Sequence, residues 1–216
     1  MTAIGGALLI ANAPLRWHPR LAAMATSAQP LLAADGGANH LARIGLRPTV
    51  VVGDLDSVSP NTRAWLGEEC MVDRPDQDRT DLDKALEYGF EELGITNLTV
   101  LAALGGRTDH DLGNLGLLAR LAMGDRLTYE AADQTVLAVA GEASLAANPG
   151  ETWSFWTFDP TVRVTVEGVR WPLDNVSIDA GNRPSISNET VGNHVEINAT
   201  GGSVIVMRRF RDPSGR

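Results

Sequence analysis

Seven aspartates crowd one stretch of this chain. Asp54 and Asp56 stand in V-V-V-G-D-L-D-S, and Asp73, Asp76, Asp78, Asp81 and Asp83 follow in V-D-R-P-D-Q-D-R-T-D-L-D-K-A-L. Carboxylates brought together raise one another's pKa unless a cation lies between them. An oxygen-rich site without cysteine suits Mg²⁺, and Mg²⁺ in turn suits phosphate substrates. Asp54 and Asp56 come just after an apolar β-branched run. That places them at the C-terminal end of a buried parallel strand, where open α/β sheets keep their ligand sites. Asp76 and Asp78, two apart in an extended loop, would share a face. Asp81 and Asp83 also have a structural reading. Thr80 and Asp83 form a capping pair, and acidic residues are favoured at a helix N-terminus.

Two further loops belong to the same sheet edge. In L-G-G-R-T-D-H-D-L-G-N, Gly105 and Gly106 follow a strand and precede a helix, so their N–H groups and the helix start are placed to dock an anion. Arg107 would add a forked phosphate contact. Asp35-Gly36-Gly37-Ala38-Asn39 is the third loop, in which Asp35 would touch a metal or a ribose. Farther on, Trp153, Trp156 and Trp171 stand out. Tryptophans of a β domain are mostly core. Trp171, next to Pro172 and after a glycine turn, is the one expected to be exposed. The polar run from Ser185 to Thr190 offers hydroxyl and amide groups to a heterocycle.

These loops need strands and helices to hold them. Apolar runs at residues 7–11, 31–34, 50–52 and 98–104 read as strands. Helical spacing appears at 19–28, 38–44, 60–66, 80–93 and 112–122. In the fourth helix Leu82, Ala85, Leu86, Phe90 and Leu93 form one face. In the fifth, Leu112, Leu115, Leu118, Ala119 and Ala122 do so. Strand, loop and helix repeat, which predicts a mostly parallel sheet covered by helices. After residue 127 the runs are short and β-rich. The expected fold is thus an α/β domain over 1–126 and an all-β, sandwich-like domain over 127–216.

The composition excludes several classes. The formal charge of −9 argues against nucleic-acid and anionic-membrane partners. Lys84 is the only lysine among 18 basic residues, so no P-loop can be written. Cys70 is the only cysteine, which fits a reducing, cytoplasmic setting without disulfides or a thiolate zinc site. No apolar run approaches membrane-spanning length. Residues 7–13 end in A-N-A, as a signal peptide does. The run is short and no basic residue precedes it, so a first buried strand is the expectation.

Four motifs in register resemble the thiamine pyrophosphokinase family: A-D-G-G-A-N, G-D-L-D-S, D-Q-D-R-T-D-L-D-K-A-L and L-G-G-R-T-D-H-D-L-G-N-L. G-V-R-W-P-L and I-S-N-E look like its thiamine-binding region. The resemblance spans residues 35 to 207. It implies an α/β domain followed by a β-sandwich, in a homodimer with active sites between subunits. It also implies Mg²⁺-dependent transfer of the diphosphate of ATP to the thiamine hydroxyl, giving AMP and thiamine diphosphate. Carried over by position, it implies metal ligands at Asp54, Asp56, Asp76 and Asp81, and catalytic roles for Asp54, Asp56, Asp78 and Asp81. Nucleotide contacts would come from Asp35, Gly105, Gly106, Arg107, Asp109, His110 and Asn114. Thiamine contacts would come from Ser187 and Asn188. Animal members carry an aromatic shortly after the Ser-Asn pair, where this chain has Glu189-Thr190-Val191; Trp171 is the candidate substitute.

Two other readings fit parts of the pattern. V-V-V-G-D-L-D-S is similar to the strand-D-x-D of haloacid dehalogenase-type phosphatases, whose first aspartate is a nucleophile. Against that, a glycine separates strand and aspartate, and the only lysine lies inside the second acidic motif. A non-catalytic nucleotide or metal sensor is the third reading, and no acidic motif position is lost to favour it.

Overall fold

The computed structural model describes residues 6–179, 181 and 185–210. By internal contacts the chain forms two units, residues 1–114 with 129–132 and residues 115–128 with 133–216.

The first unit is built on five parallel strands: β1 (Ala7–Ile10), β2 (Leu31–Ala34), β3 (Val50–Gly53), β4 (Met71–Asp73) and β5 (Leu98–Leu101). They lie in the order β5-β1-β2-β3-β4. Every residue of β1, β2 and β3 is buried, as continuous apolar runs in a sheet covered on both faces require. The chain steps outward from β1 through β4 and then returns to the far side of β1 as β5. That reversal of order creates a crevice at the strands' C-terminal ends. β4 was not expected from the sequence, because Met71–Asp73 is too short to show alternation.

Four helices connect these strands, α1 (Pro19–Ser27), α2 (Gly37–Ala42), α3 (Pro60–Leu66) and α4 (Asp81–Glu87), and α5 (Thr108–Leu121) follows β5. α3 starts as its sequence predicts, with Pro60 in the first turn and the Ser59 hydroxyl accepting the Thr62 N–H. Leu8, Ile10, Ala33, Val51 and Leu101 on one face of the sheet join Leu21, Ala25, Leu41 and Leu66 of the helices in one core. α4 packs against β2 and β3. It runs into a π-helical turn at Tyr88–Glu92, and the extra residue rotates the following side chains. Gly89 therefore takes the buried position, beside Leu32, Leu98 and Ile95. Leu93, expected on the apolar face, is exposed. Leu112 of α5 is also exposed, a second correction; Leu115, Leu117 and Leu118 are the buried leucines of that helix.

The chain passes into the second unit within α5, and β6 (Leu127–Glu130) has residues in both units; the second unit is β-rich as expected. Its strands are β7 (Gln134–Ala146), β8 (Thr152–Trp156), β9 (Arg163–Glu167), β10 (Leu173–Val176), β11 (Ser185–Glu189) and β12 (His194–Arg209). β12 organises them. One edge pairs with β7 along almost its whole length. The other edge pairs with β9 at Glu196–Thr200 and then with β8 at Ile205–Arg209. The change of partner coincides with a bulge between Ala199 and Ser203. At that bend a Cβ on Gly202 would lie 2.7 Å from the Val162 side chain, so only glycine fits. Trp153, Phe155, Val164, Val166, Val195, Ile197, Val204 and Val206 pack into one core.

Gly37 is the backbone contact on which the crevice depends. A Cβ there would stand 2.0 Å from the Ile10 carbonyl oxygen, so α2 touches the end of β1 main chain to main chain. Gly37→Ala is expected to cost about 3 kcal/mol of unfolding free energy, read by urea denaturation. A loss within experimental error would show that this approach does not matter.

Candidate metal and phosphate site

Asp35 follows β2, Asp54 follows β3 and Asp81 opens α4. Each offers one carboxylate oxygen within 4.8 Å of the others, a group of three among the described residues. Several local choices bring them together. Asp35 takes φ 42 and Leu55 takes φ 64, the left-handed region that side chains seldom adopt. The Leu55 side chain is buried in the helical core, which leaves Asp54 half-buried and Asp56 exposed on either side of it. Gly53 sets the closeness of approach. A Cβ at that position would meet Asp35 Cβ at 2.8 Å and the Asp81 carboxylate at 3.0 Å.

The group is also stitched together by hydrogen bonds. Asp35 Oδ1 accepts the Ser57 N–H at 3.2 Å, and Asp81 Oδ1 accepts the Asp54 N–H at 3.3 Å. Asn39 ties the first loop to the second: its amide donates to the Ser57 carbonyl at 2.8 Å, and its Oδ1 accepts the Ser59 N–H at 3.0 Å. Sequence reasoning passed over Asn39, although an amide four residues after Asp35 was its signal. It also passed over Lys84. That side chain is 2% exposed, and its ammonium lies 3.1 Å from Asp81 Oδ1. A sole lysine three residues after an acidic helix start was the available clue.

Burial pushes the Asp35 carboxyl above its usual value; the Ser57 hydroxyl pulls the other way, and Asp81 adds to the rise. A buried carboxylate among carboxylates is a poor resting arrangement and a good cation ligand. The donors are all oxygen, as a hard divalent ion such as Mg²⁺ requires, so the residues fit that ion.

The other expected ligands lie outside this group. Asp56 is exposed, and its Oδ1 accepts the Ser57 hydroxyl at 2.8 Å. Asp76 accepts the Asp78 N–H at 2.9 Å, so the loop makes a tight turn there rather than running extended. That amide, with Arg79 at 2.9 Å, holds the Asp76 carboxyl below the usual carboxylate range. Asp78 is exposed.

The glycine loop after β5 has the expected donors, but they are already engaged. The Gly105 N–H lies 3.1 Å from both oxygens of Asp111, and the Gly106 N–H lies 3.3 Å from Oδ1. A carboxylate of the chain itself thus occupies the place expected for an anion. Arg107 forks onto Asp109 at 3.1 and 2.6 Å and holds that carboxyl down at about 2. His110 is exposed. Asn114 is buried, and its amide donates to the Ala103 carbonyl at 2.7 Å, bracing the loop from beneath.

In the second unit the Asn188 side chain grips Trp171. Its Oδ1 accepts the Trp171 N–H at 3.1 Å, and its Nδ2 donates to the Trp171 carbonyl at 2.7 Å. Ser187 is exposed at φ 60, and its N–H donates to the Ser154 hydroxyl at 3.0 Å. Trp171 is 57% exposed, as its sequence context predicts, with the Arg170 guanidinium 5.3 Å from its ring centre. Trp153 is fully buried and Trp156 is half-buried.

Comparison with known proteins gives the family. The family model described as "Thiamin pyrophosphokinase, catalytic domain" matches residues 21–128, and "Thiamin pyrophosphokinase, vitamin B1 binding domain" matches residues 143–204. The chain is 31% identical over 206 residues to thiamine pyrophosphokinase 1 of Oryza sativa subsp. japonica, covering 82% of this chain and 74% of that protein. It is 26% identical over 208 residues to the thiamine pyrophosphokinase of Bacillus subtilis, covering 93% and 96%. The crystal structure of thiamin pyrophosphokinase from Geobacillus thermodenitrificans superposes with a TM-score of 0.80 at 22% identity, over 98% of this chain and all of that one. At that identity the superposition speaks for the fold.

One titratable group near the crevice makes a testable statement. His40 is buried, its Nε2 lies 3.0 Å from the Ala13 carbonyl oxygen, and burial lowers its pKa below 6.5. The unfolded chain therefore binds a proton at 6.5 that the folded chain refuses. The contribution of His40 to stability is complete above that pH and shrinks as the pH falls toward the folded value. His40→Gln, which keeps a donor for Ala13, is expected to lessen the loss of unfolding free energy between about pH 7 and about pH 5. Parallel curves for the two proteins would contradict this.

Proposed function

The chain belongs to the thiamine pyrophosphokinase family, whose members are enzymes, and from that premise we propose that it transfers the diphosphate of ATP to the hydroxyl of thiamine. The observation that carries the proposal is the carboxylate group of Asp35, Asp54 and Asp81 at the C-terminal edge of the parallel sheet, inside the segment matched to the catalytic domain. Those three would hold Mg²⁺. When bound, the ion supplies neutralisation of phosphate charge, the main demand of phosphoryl-type transfer.

The chain's own residues do the rest. Asp56, exposed beside the group, takes the proton of the thiamine hydroxyl as its oxygen attacks the β-phosphorus. The bond from that phosphorus to the oxygen leading to the α-phosphate breaks, and its electron pair departs with AMP. Asp78 and Asp76 line the approach; Arg79 fixes the second of these. The loop of Gly105, Gly106 and Arg107 receives nucleotide phosphate once Asp111 swings off the two glycine N–H groups and Arg107 releases Asp109, with His110 at its rim. Asn114 keeps that loop in shape. The exposed Trp171, gripped by Asn188 and flanked by Ser187, offers a face for the heterocycle, and an aromatic surface on an acidic protein suits the cationic thiazolium. Arg170 lies over one side of that ring, which leaves the other for the ligand. The proposal includes a cytoplasmic homodimer. The acidic balance and the single cysteine fit a reducing compartment, and no helix among the described residues is long and apolar enough to cross a membrane.

Incubation with ATP, Mg²⁺ and thiamine is expected to yield AMP and thiamine diphosphate in equal amounts. ADP or free phosphate instead would overturn the assignment. Asp54→Asn is expected to abolish product while the metal-free melting temperature stays unchanged or rises, since one repelling charge is gone. Trp171→Ala is expected to raise the KM for thiamine about 10-fold with kcat little changed, the signature of lost binding that is uniform along the reaction. An unaltered KM would remove Trp171 from the thiamine site.

A further inference from the structure

Lys84 is the feature that the proposed chemistry does not use. It is the chain's only lysine and one of its largest fully buried side chains. Lysine is almost never fully buried unless paired, because an unpaired ammonium away from water is very costly. Here it stands 3.1 Å from Asp81 Oδ1, the same oxygen that accepts the Asp54 N–H. Asp81 in turn belongs to the carboxylate group with Asp35 and Asp54. Three negative charges therefore have one fixed positive charge supplied from within the fold, reaching them from α4.

We propose that Lys84 is a positioning residue, the built-in counter-ion that holds Asp81 against Asp35 and Asp54 while no divalent ion is bound. The inference rests on the metal reading given above. A mobile metal and a fixed ammonium then do overlapping work. The ammonium keeps the ligands gathered in the empty site, and the metal takes over most of the neutralisation once it arrives. The lysine stem alone would not do this, since a methionine fills similar volume without charge.

The distinguishing measurement is the melting temperature with EDTA and with saturating Mg²⁺, for the wild type, Lys84→Met, Lys84→Arg and Lys84→Met/Asp81→Asn. In EDTA, Lys84→Met is expected to melt about 10 °C lower than the wild type, as breaking a buried ion pair in a chain of this size implies. In Mg²⁺ that deficit is expected to shrink to less than half, so the variant gains more from the metal than the wild type does. Asp81→Asn added to Lys84→Met is expected to restore most of the stability lost in EDTA, because the carboxylate that needed the ammonium is gone. Lys84→Arg is expected to fall between the wild type and Lys84→Met. An equal deficit with and without Mg²⁺ while the wild type itself gains from Mg²⁺, no deficit at all, or no rescue by Asp81→Asn would overturn the proposal and make Lys84 a packing residue. Should Lys84→Met prove insoluble, the double variant decides alone: a soluble protein supports the pairing and an insoluble one refutes it. A wild type that gains nothing from Mg²⁺ would sink the metal reading itself. The inference would then stand or fall on the rescue in EDTA.

Discussion

Repulsion among Asp35, Asp54 and Asp81 is the constraint around which the first unit is arranged. Three carboxylates within 4.8 Å of one another oppose folding unless something offsets their charge. The surrounding chain is shaped to tolerate them. Gly53 removes the side chain that would hold Asp35 and Asp81 apart. Asp35 and Leu55 accept left-handed backbone so that their side chains point where the group needs them. Such strain persists only where the neighbourhood over-determines it, as buried strands β2 and β3 do here.

The same logic extends to the loops beside the group. Asn39 spends both ends of its amide on the backbone of the adjacent loop, so the loops after the two strands are tied together. The glycine loop after β5 keeps its N–H groups satisfied by Asp111, and Asn114 supports it from within. Each loop carries an internal stand-in for its expected guest: a carboxylate in the anion cradle and an ammonium beside the carboxylates. The two differ in consequence: the ammonium can stay beside its carboxylate when a cation arrives, whereas the Asp111 carboxylate must leave the Gly105 and Gly106 N–H groups before a phosphate can use them. In the second unit the pattern repeats in neutral form, since Asn188 clamps the backbone of an exposed Trp171.

Much of this was legible in the sequence. Short apolar runs announced buried parallel strands, and the Ser59-Pro60 and Thr80 helix starts read correctly because capping is local chemistry. The second unit's β character followed from its short runs and turns. Other features depended on tertiary context. The π-helical turn after α4 displaced Leu93 from the core, and no periodicity rule anticipates an inserted residue. Leu112 kept helical spacing with the buried leucines of α5, yet it faces outward. Within the acidic stretch, position after a buried strand singled out Asp54 and Asp56, of which only Asp54 is in the group; Asp81 also had a helix-start reading, and the third member came from another loop. Asp35, read in sequence as touching a metal or a ribose, joins them because β2 and β3 are parallel neighbours in register, Ala34 opposite Val52. Asp76, which looked equivalent in sequence, is turned aside by its own Asx turn and by Arg79.

β12 is shared by β7, β8 and β9, yet it is the last strand in chain order among the described residues. A nascent polypeptide that has reached β11 owns all the other walls of this unit without the strand that joins them. Closing the β7–β12 ladder links residues as far apart as Gln134 and Arg209, a long loop whose entropy must be spent before the pairing repays it. The α/β half, by contrast, assembles its central ladders from segments already synthesised. The two halves should therefore mature at different times during synthesis. The β-rich half, with unpaired strand edges in the interval, is the one that most needs protection from its neighbours.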